Sequence, residues 1–356
     1  MSRQASTHSA YGVSISLKIV TLWLPPAAFS LAVARTIPKT SSSSVIGVSA
    51  ETSRRVGAAP IRRSDHDQNG RAKVRGGAAR HRAFWIGSRA AESCTLWAAV
   101  GEAARDGGSL VVKNHDWRPD HRQEIKRVTP KPGFRYYGLF AYGNDGPGLK
   151  AGVNEKGLVV VSATAPYRQR ELKAMPRAKD RLGRLLREHA TVEDALSRRD
   201  LFLGPTFFLV ADRRQAAVIE VGPGGTFAIA KPVGGIISHT NHYVLPAMAR
   251  FNPAKIGESS RERSVRIHEL LGSGAPFGPA DFERFSASRD GGSDRAIWRT
   301  GKAGDATRTL ATWMVHQKAD GEITLFVRLA NPGEDIREIR LSGADLFGRI
   351  QHTAGF

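Results

Sequence analysis

The sequence predicts an α+β fold, a sandwich of two antiparallel sheets covered by helices. Three observations favour it: short runs rich in Val, Ile, Phe and Tyr follow residue 94, turn residues separate these runs, and helical periodicity is confined to a few segments between them. With 356 residues, 41% of them hydrophobic, the chain is long enough to bury such a core. Its single cysteine excludes an internal disulfide framework.

Ten short runs are predicted to be strands. They are residues 96–100, 110–112, 136–142, 158–163, 207–211, 217–221, 227–230, 236–238, 309–315 and 322–329. Turn signals such as Gly107-Gly108, residues 222–225 and Asp320-Gly321 separate consecutive runs. Connections of only two to five residues imply antiparallel pairing.

Four helices are predicted between these strands. Residues 180–189 place Leu182, Leu185 and Leu186 on one face, and Thr191 is a capping residue for the next helix. A third helix opens at Ser259-Ser260 and ends at Gly272, and residues 281–286 form a short fourth.

The first 34 residues have the pattern of a signal peptide. An apolar run over 19–31 follows Lys18 and ends at Ala32-Val33-Ala34, an Ala-x-Ala site. This run is shorter than the roughly 20 residues that a membrane-spanning helix needs. The pattern predicts a secreted or periplasmic protein, and a cytoplasmic one if the signal is not real.

Residues 35–93 are predicted to be a basic leader of low order, followed by a catalytic domain over 94–356. Residues 1–93 contain 14 Lys or Arg against 4 Asp or Glu, which is +10 of the total charge of +20. A basic tail can bind nucleic acid. Because no aromatic interleaving or nucleic-acid motif accompanies the charge, a spacer that is later removed is the favoured interpretation.

Cys94 stands where the leader ends. A thiol attacks as its thiolate and has an ordinary pKa of about 8.5, so it needs a nearby base or cation. If the Ser93–Cys94 bond is cut, the new α-amine of Cys94, with a pKa of about 7.7–8.0, can be that base. The alternative is a buried, inert cysteine that packs like a small hydrophobic residue.

Five segments follow one another in a fixed order. They are Cys94-Thr95, residues 113–117 (Lys-Asn-His-Asp-Trp), residues 152–158 (Gly-Val-Asn-Glu-Lys-Gly-Leu), residues 239–242 (His-Thr-Asn-His) and residues 259–266 (Ser-Ser-Arg-Glu-Arg-Ser-Val-Arg). Together they resemble the N-terminal-nucleophile (Ntn) hydrolases of the peptidase C45 and choloylglycine hydrolase kind, which include acyl-CoA:6-aminopenicillanate acyltransferase, penicillin V acylases and bile salt hydrolases. The resemblance implies an αββα fold whose mature chain starts at the cysteine.

The resemblance also implies residue roles. Cys94 would be the nucleophile, released by scission after Ser93, and Asp116 would hold its α-amine. Asn241 would donate to the oxyanion, and Arg263 would support the thiolate and position Asp116. Physical chemistry is consistent with these roles, because a carboxylate orients an amine and a fixed amide donor stabilises an oxyanion.

Two departures from bile salt hydrolases limit the substrate assignment. Lys113 stands where those enzymes have arginine, and Thr164 stands where they have asparagine. The second oxyanion donor is then expected to be a backbone N–H, of Thr95 or Thr164. Lys113, Asn114, Trp117 and Thr164 are thus candidate oxyanion or substrate contacts.

The predicted reaction is hydrolysis or transfer of an apolar acyl group from a small linear amide, with no cofactor. Six aromatic residues near the motifs suggest the acyl pocket, although aromatic residues in strands are more often core: Trp97, Trp117, Phe134, Tyr136, Tyr137 and Tyr167. The sequence does not indicate the acyl donor, the amine or the oligomeric state.

Three other functions compete with this one. A metal site at His239 and His242 is disfavoured, because residues three apart in a strand do not share a face and the spacing matches no zinc motif. A secreted, non-catalytic basic binding protein would not need Cys94. A cysteine hydrolase with an internal nucleophile lacks support, since no papain-like sequence surrounds Cys94.

Overall fold

Two antiparallel sheets stack face to face in a computed structural model that describes residues 93–143, 146–166, 178–302 and 306–348. The first sheet has six strands in the order β10-β1-β2-β11-β12-β13, and the second has seven in the order β3-β4-β5-β6-β7-β8-β9. Every strand pair in both sheets is antiparallel. The predicted fold class is therefore confirmed.

The six-stranded sheet contains both the first and the last strand of the described chain. Its strands are β1 (Thr95–Val100), β2 (Ser109–Trp117), β10 (Ile236–His239), β11 (Arg308–Gln317), β12 (Ile323–Leu329) and β13 (Arg337–Ser342). The residue pairing of β2 with β11 shifts at a bulge between Thr309 and Ala311. Beyond that bulge Thr309 lies opposite Asp116.

The seven-stranded sheet is a meander in which each strand pairs with the next. Its strands are β3 (Arg122–Val128), β4 (Tyr136–Tyr142), β5 (Gly148–Asn154), β6 (Val159–Ala163), β7 (Thr206–Ala211), β8 (Ala216–Val221) and β9 (Phe227–Ala230). Strands β3, β5 and β13 were not predicted from the sequence. Basic and acidic residues interrupt β3 and β13, whose side chains are largely solvent-accessible at sheet edges, so neither reads as an apolar run.

Helices cover both outer faces. They are α1 (Arg181–Glu188), α2 (Val192–Ser197), α3 (Glu258–Leu271), α4 (Pro279–Ser286) and the short α5 (Ala344–Phe347). Thr191 caps α2 as predicted, because its Oγ1 accepts the N–H of Asp194 at 3.1 Å. Helix α3 begins at Glu258, one residue before the predicted Ser259-Ser260 start.

Three hydrophobic clusters give the order of the layers. One lies between the sheets and combines residues such as Leu96 and Trp313 with Val153 and Leu209. A second packs the seven-stranded sheet against α1 and α2, and a third packs the six-stranded sheet against α3 and α4. The layers are therefore helix, sheet, sheet, helix, which is the αββα arrangement that the resemblance implies.

The Asn154 to Leu158 segment forms the turn between β5 and β6. Asn154 Oδ1 accepts the N–H groups of Lys156 at 3.0 Å and Leu158 at 2.9 Å. Gly157 has a φ of +88°, a conformation that favours glycine. Asn154 Nδ2 also donates to the carbonyls of Leu186 and His189 at the end of α1. This motif therefore has a structural role in the turn and in anchoring α1.

The predicted signal peptide (1–34) and all but the last residue of the predicted leader (35–93) lie outside the described residues, and both remain predictions. No helix in the described part of the chain is long and apolar enough to cross a membrane.

Candidate active site

Cys94 enters β1 with its thiol facing the space between the two sheets. Thr95 lies opposite Asn114 in the β1–β2 pairing, which puts Cys94 beside His115. Side chains alternate along a strand, so Lys113, His115 and Trp117 face the same way as Val111 in the inter-sheet cluster. The nucleophile predicted from sequence is therefore fully buried and surrounded by polar side chains of β2.

Two basic side chains approach the sulfur. Lys113 Nζ donates to Cys94 Sγ at 3.0 Å and also to the carbonyl of Ser162 on β6. His115 Nδ1 lies 3.7 Å from the same sulfur. A buried cation at this distance favours the thiolate over the thiol. The cation at the sulfur is thus Lys113, whereas Arg263, predicted to support the thiolate, contacts the backbone of Cys94.

His115 is held in its neutral form. Burial lowers its pKa well below 6.5, and the charges of Lys113, Lys150 and His121 lower it further. A neutral imidazole has one ring nitrogen able to accept a proton. The site therefore contains a proton acceptor beside the thiol in addition to the amine that scission would release.

Asn241 and Arg263 hold the backbone of Cys94. The Cys94 N–H donates to Asn241 Oδ1 at 2.7 Å. Arg263 Nη1 donates to the Cys94 carbonyl at 2.6 Å and to Thr95 Oγ1 at 2.8 Å. Its Nη2 donates to Asn241 Oδ1 at 3.1 Å. One guanidinium thus connects β1, the loop after β10 and helix α3.

Arg263 is a fully buried cation. Burial lowers its pKa to about 10, and the negative charge of Asp116 opposes that shift. A pKa near 10 leaves the guanidinium charged at neutral pH. Buried charges are tolerated when they are paired and hydrogen-bonded, and Arg263 meets both conditions.

Asp116 lies on the opposite face of β2 from the thiol. Its Oδ1 accepts the hydroxyl of Thr309 at 2.7 Å, and its Oδ2 lies 3.8 Å from Arg299 Nη1. Burial raises the pKa of Asp116, while Arg299 and Arg263 act in the opposite direction. The Asp116 carbonyl accepts the Ser93 N–H at 3.4 Å. The role of the carboxylate in holding a Cys94 amine remains a prediction.

The Thr240-Asn241 turn is fixed by buried hydrogen bonds. His239 Nε2 and Glu220 Oε1 are 2.8 Å apart, which connects β10 of one sheet to β8 of the other. The Asn241 N–H donates to Ser260 Oγ at 2.9 Å, and its Nδ2 donates to the Thr164 carbonyl at 2.9 Å. Asn241 therefore contacts both Cys94 and Thr164, which the sequence analysis also named as candidate site residues.

Comparison with known families identifies the family of this chain. The sequence profile of the acyl-coenzyme A:6-aminopenicillanic acid acyl-transferase (AAT) family matches residues 103–331, which include Asp116, Asn241 and Arg263. The chain belongs to this family. The resemblance stated from the sequence motifs is confirmed. A comparison with curated protein sequences gave no match.

Three solved structures are similar to this AAT family member at low sequence identity. A mutant conjugated bile acid hydrolase from Clostridium perfringens is 11% identical, with a TM-score of 0.43, over 69% of this chain and 92% of that one. A second variant of that hydrolase is 12% identical, with a TM-score of 0.43, over 73% and 100%. The Caenorhabditis elegans N-acylethanolamine-hydrolyzing acid amidase ortholog is 14% identical, with a TM-score of 0.43, over 62% and 92%.

The structure does not bring Asn114 to the thiol. Its Nδ2 donates to the carbonyls of Ser286 and Ile297 at 2.8 Å, and its Oδ1 accepts the Thr312 hydroxyl at 2.8 Å. These contacts lie on the helix-covered face of the sheet, so Asn114 anchors α4 and the loop that follows it. Trp117, by contrast, faces inward and stacks on His115 with ring centroids 6.2 Å apart.

The aromatic residues suggested as an acyl pocket do not converge. Trp97 packs on Phe282 of α4, and Tyr136 belongs to the cluster beneath α1 and α2. Tyr137 packs against Phe347 near the end of the described chain, and Tyr167 lies outside the described residues. Trp117 and Tyr137 are the candidates that face the space between the sheets, where the Cys94 thiol lies.

Sequence reasoning missed Arg299, Thr309 and His115. Arg299 and Thr309 reach Asp116 from segments that carry no recognisable motif, and the bulge in β11 determines where Thr309 points. His115 could have been found, because strand alternation places it beside Cys94 once β1 and β2 are paired.

No group of three or more metal-ligating side chains occurs within the described ranges. His239 is engaged by Glu220, and His242 Nδ1 lies 2.9 Å from Ser260 Oγ. These contacts give the two histidines a structural role at the Asn241 turn.

The stability of the protein should fall as pH drops from 6.5 to 4, partly because of His242. Burial lowers the pKa of His242 to about 4, so the folded state favours the neutral ring. That contribution is present above the unfolded pKa of about 6.5 and is lost as pH falls through 4. We expect wild type to lose about 2–3 kcal/mol more than His242→Gln between pH 7 and 4.5. Urea unfolding at both pH values measures this; equal losses would contradict it.

Proposed function

We propose that the chain cuts itself between Ser93 and Cys94, and that the released Cys94 then hydrolyses or transfers the acyl group of a linear amide through a thioester. The observation that carries this proposal is the convergence on one residue: Lys113 on the sulfur at 3.0 Å, Asn241 on the nitrogen at 2.7 Å and Arg263 on the carbonyl at 2.6 Å. Membership of the AAT family, a family of acyltransferases, supports the same chemistry.

Scission needs only the groups already around Cys94. The thiolate adds to the Ser93 carbonyl carbon, the bond from that carbon to the Cys94 nitrogen breaks, and the nitrogen takes up a proton. Water then hydrolyses the resulting thioester, which leaves a Ser93 carboxylate, a free thiol and a free α-amine. Lys113 stabilises the thiolate during the first step.

Turnover repeats this chemistry on a substrate. The α-amine takes the thiol proton, the thiolate attacks the acyl carbon, and the amide nitrogen leaves with a proton. Asn241 Nδ2 now contacts the Thr164 carbonyl, so it must exchange that acceptor for the oxyanion when the substrate binds. Water or an acceptor amine then releases the acyl group.

The proposed substrate is a small-molecule linear amide with an apolar acyl group, processed without a cofactor. The family name joins an acyl-coenzyme A donor to an amine acceptor, which supports transfer as an alternative to hydrolysis. Export to the periplasm or outside the cell, inferred from residues 1–34, is part of the same proposal.

Self-cleavage should be visible as a mass change. The full-length chain should lose residues 1–93 and leave residues 94–356, whereas Cys94→Ala should stay whole because it lacks the attacking sulfur. Intact-mass analysis and amino-terminal sequencing measure both. An active wild-type enzyme that keeps its leader joined to Cys94 would contradict the mechanism, because an acylated nitrogen cannot be the base.

The thioester should be trapped on Cys94. A panel of phenoxyacetyl, phenylacetyl and fatty-acyl amides is mixed with the processed enzyme, quenched in acid and analysed by peptide mass spectrometry. We expect an acyl adduct at residue 94, and added amine should divert the product if the enzyme is a transferase. An adduct confined to another residue would remove Cys94 as the nucleophile.

Asp116→Asn and Arg263→Ala should each lower kcat by about 100-fold or more, because they alter charge and geometry around Cys94. The double variant should be little worse than the poorer single variant, since residues acting as a unit are not additive. Arg266→Ala is the matched control, because Arg266 lies on the same helix, partly exposed and paired with Glu269 at 3.4 Å. Kinetics on the processed enzymes, with circular dichroism, measure this. Near-normal turnover in a folded variant removes that residue from the assignment.

A further inference from the structure

Scission of the Ser93–Cys94 bond needs a different proton acceptor from the one proposed for turnover. The α-amine that serves as base in the mature enzyme is still an amide nitrogen before scission, and an amide nitrogen does not accept a proton at neutral pH. Its N–H is also donated to Asn241 Oδ1 at 2.7 Å. A different group must take the thiol proton in the uncut chain.

His115 has the required position. Its Nδ1 is 3.7 Å from Cys94 Sγ, within contact range of a sulfur atom, and the pairing of β1 with β2 fixes the two side chains on the same face. Both side chains are fully buried between the sheets. Lys113, the other group on the sulfur, is a donor to it and to the Ser162 carbonyl, so it is placed to stabilise negative charge.

The second ring nitrogen of His115, Nε2, does not fix which of the two ring nitrogens carries the proton. Nε2 is buried and has no hydrogen-bond partner in the described part of the chain. A partner there would fix the tautomer, and its absence lets Nδ1 present either a lone pair or a proton to the sulfur. Burial and the facing positive charges also lower the pKa of the ring, which keeps it unprotonated near pH 6.

We propose that His115 is the general base of self-cleavage. In the uncut chain, Nδ1 takes the proton from Cys94 Sγ as the sulfur bonds to the Ser93 carbonyl carbon. As the carbon–nitrogen bond breaks, the imidazolium donates that proton to the leaving Cys94 nitrogen, and the oxyanion re-forms the carbonyl of the Ser93 thioester. Water completes the cleavage, and the released α-amine replaces His115 as base. This inference rests on the self-cleavage proposed above.

The test follows scission of full-length chains made by cell-free translation, with intact mass as the readout between pH 6 and 9. His115→Asn and His115→Gln place an amide near Nδ1 or Nε2 and cannot take up a proton. At pH 6 we expect either variant to be cut about 100-fold more slowly than wild type or worse, in line with general-base contributions. The deficit should shrink as pH rises, because solvent then deprotonates the thiol.

The pH dependence of wild type is informative by itself. The groups facing the imidazole are Lys113 on β2, Lys150 on β5, His121 ahead of β3 and Cys94 on β1. Because the pKa of His115 is lowered, the rate of wild-type scission should change little from pH 8 to 6. A tenfold fall per pH unit over that range would mean that solvent removes the thiol proton, which overturns the proposal even if both variants fail to fold.

His316→Gln is the matched control, because His316 is a buried histidine on β11 that lies 2.7 Å from Asp106 and is not among the groups that face His115. It should be cut at a rate within a few-fold of wild type. A deficit equal at all pH values would assign His115 a structural role and overturn the proposal. A wild-type chain that is never cut refutes self-cleavage itself, and with it this role.

Discussion

The site depends on one buried cation. Arg263 has no access to solvent, yet it stays charged because the Cys94 carbonyl, Thr95 Oγ1 and Asn241 Oδ1 accept its hydrogen bonds and Asp116 lies within electrostatic range. Removing any of these partners leaves part of a buried charge uncompensated, which is costly. The same guanidinium therefore fixes the backbone of Cys94 and the orientation of the Asn241 amide, so that helix α3 helps to determine the geometry around the thiol.

Strand β1 divides the site into two compartments. On the inner face the sulfur meets Lys113 and His115, and on the outer face Arg263, Asp116 and Arg299 form a charged cluster beneath the helices. The backbone of Cys94 belongs to both. The sulfur and the nitrogen of Cys94 therefore contact different residues, which is consistent with the proposed division of roles between scission and turnover.

Sequence patterns were sufficient for ten of the thirteen described strands, the Thr191 cap and the layer order, because these follow from apolar alternation and local turn chemistry. They were insufficient for β3 and β13, whose edge positions tolerate charge, for β5, where Gly148, Lys150 and Gly152 interrupt the apolar pattern, and for the partners of Asp116. Arg299 and Thr309 reach that carboxylate through a loop and a bulge, and neither feature has a periodic signature. The structure brings Cys94, Asn241 and Arg263 together, and the cation that contacts the sulfur is Lys113, so the role of Arg263 at the thiolate stays a prediction.

Lys113 holds the sulfur of one sheet and the Ser162 carbonyl of the other with a single ammonium group. The position of the ammonium group relative to the Cys94 sulfur consequently depends on the distance between the two sheets. A change that spreads the sheets at β6 draws the ammonium away from one of its two acceptors, and the readiness of the thiol to ionise changes with it. The rate at which a thiol reagent alkylates Cys94 should therefore depend on how the two sheets pack together, including at positions away from Cys94.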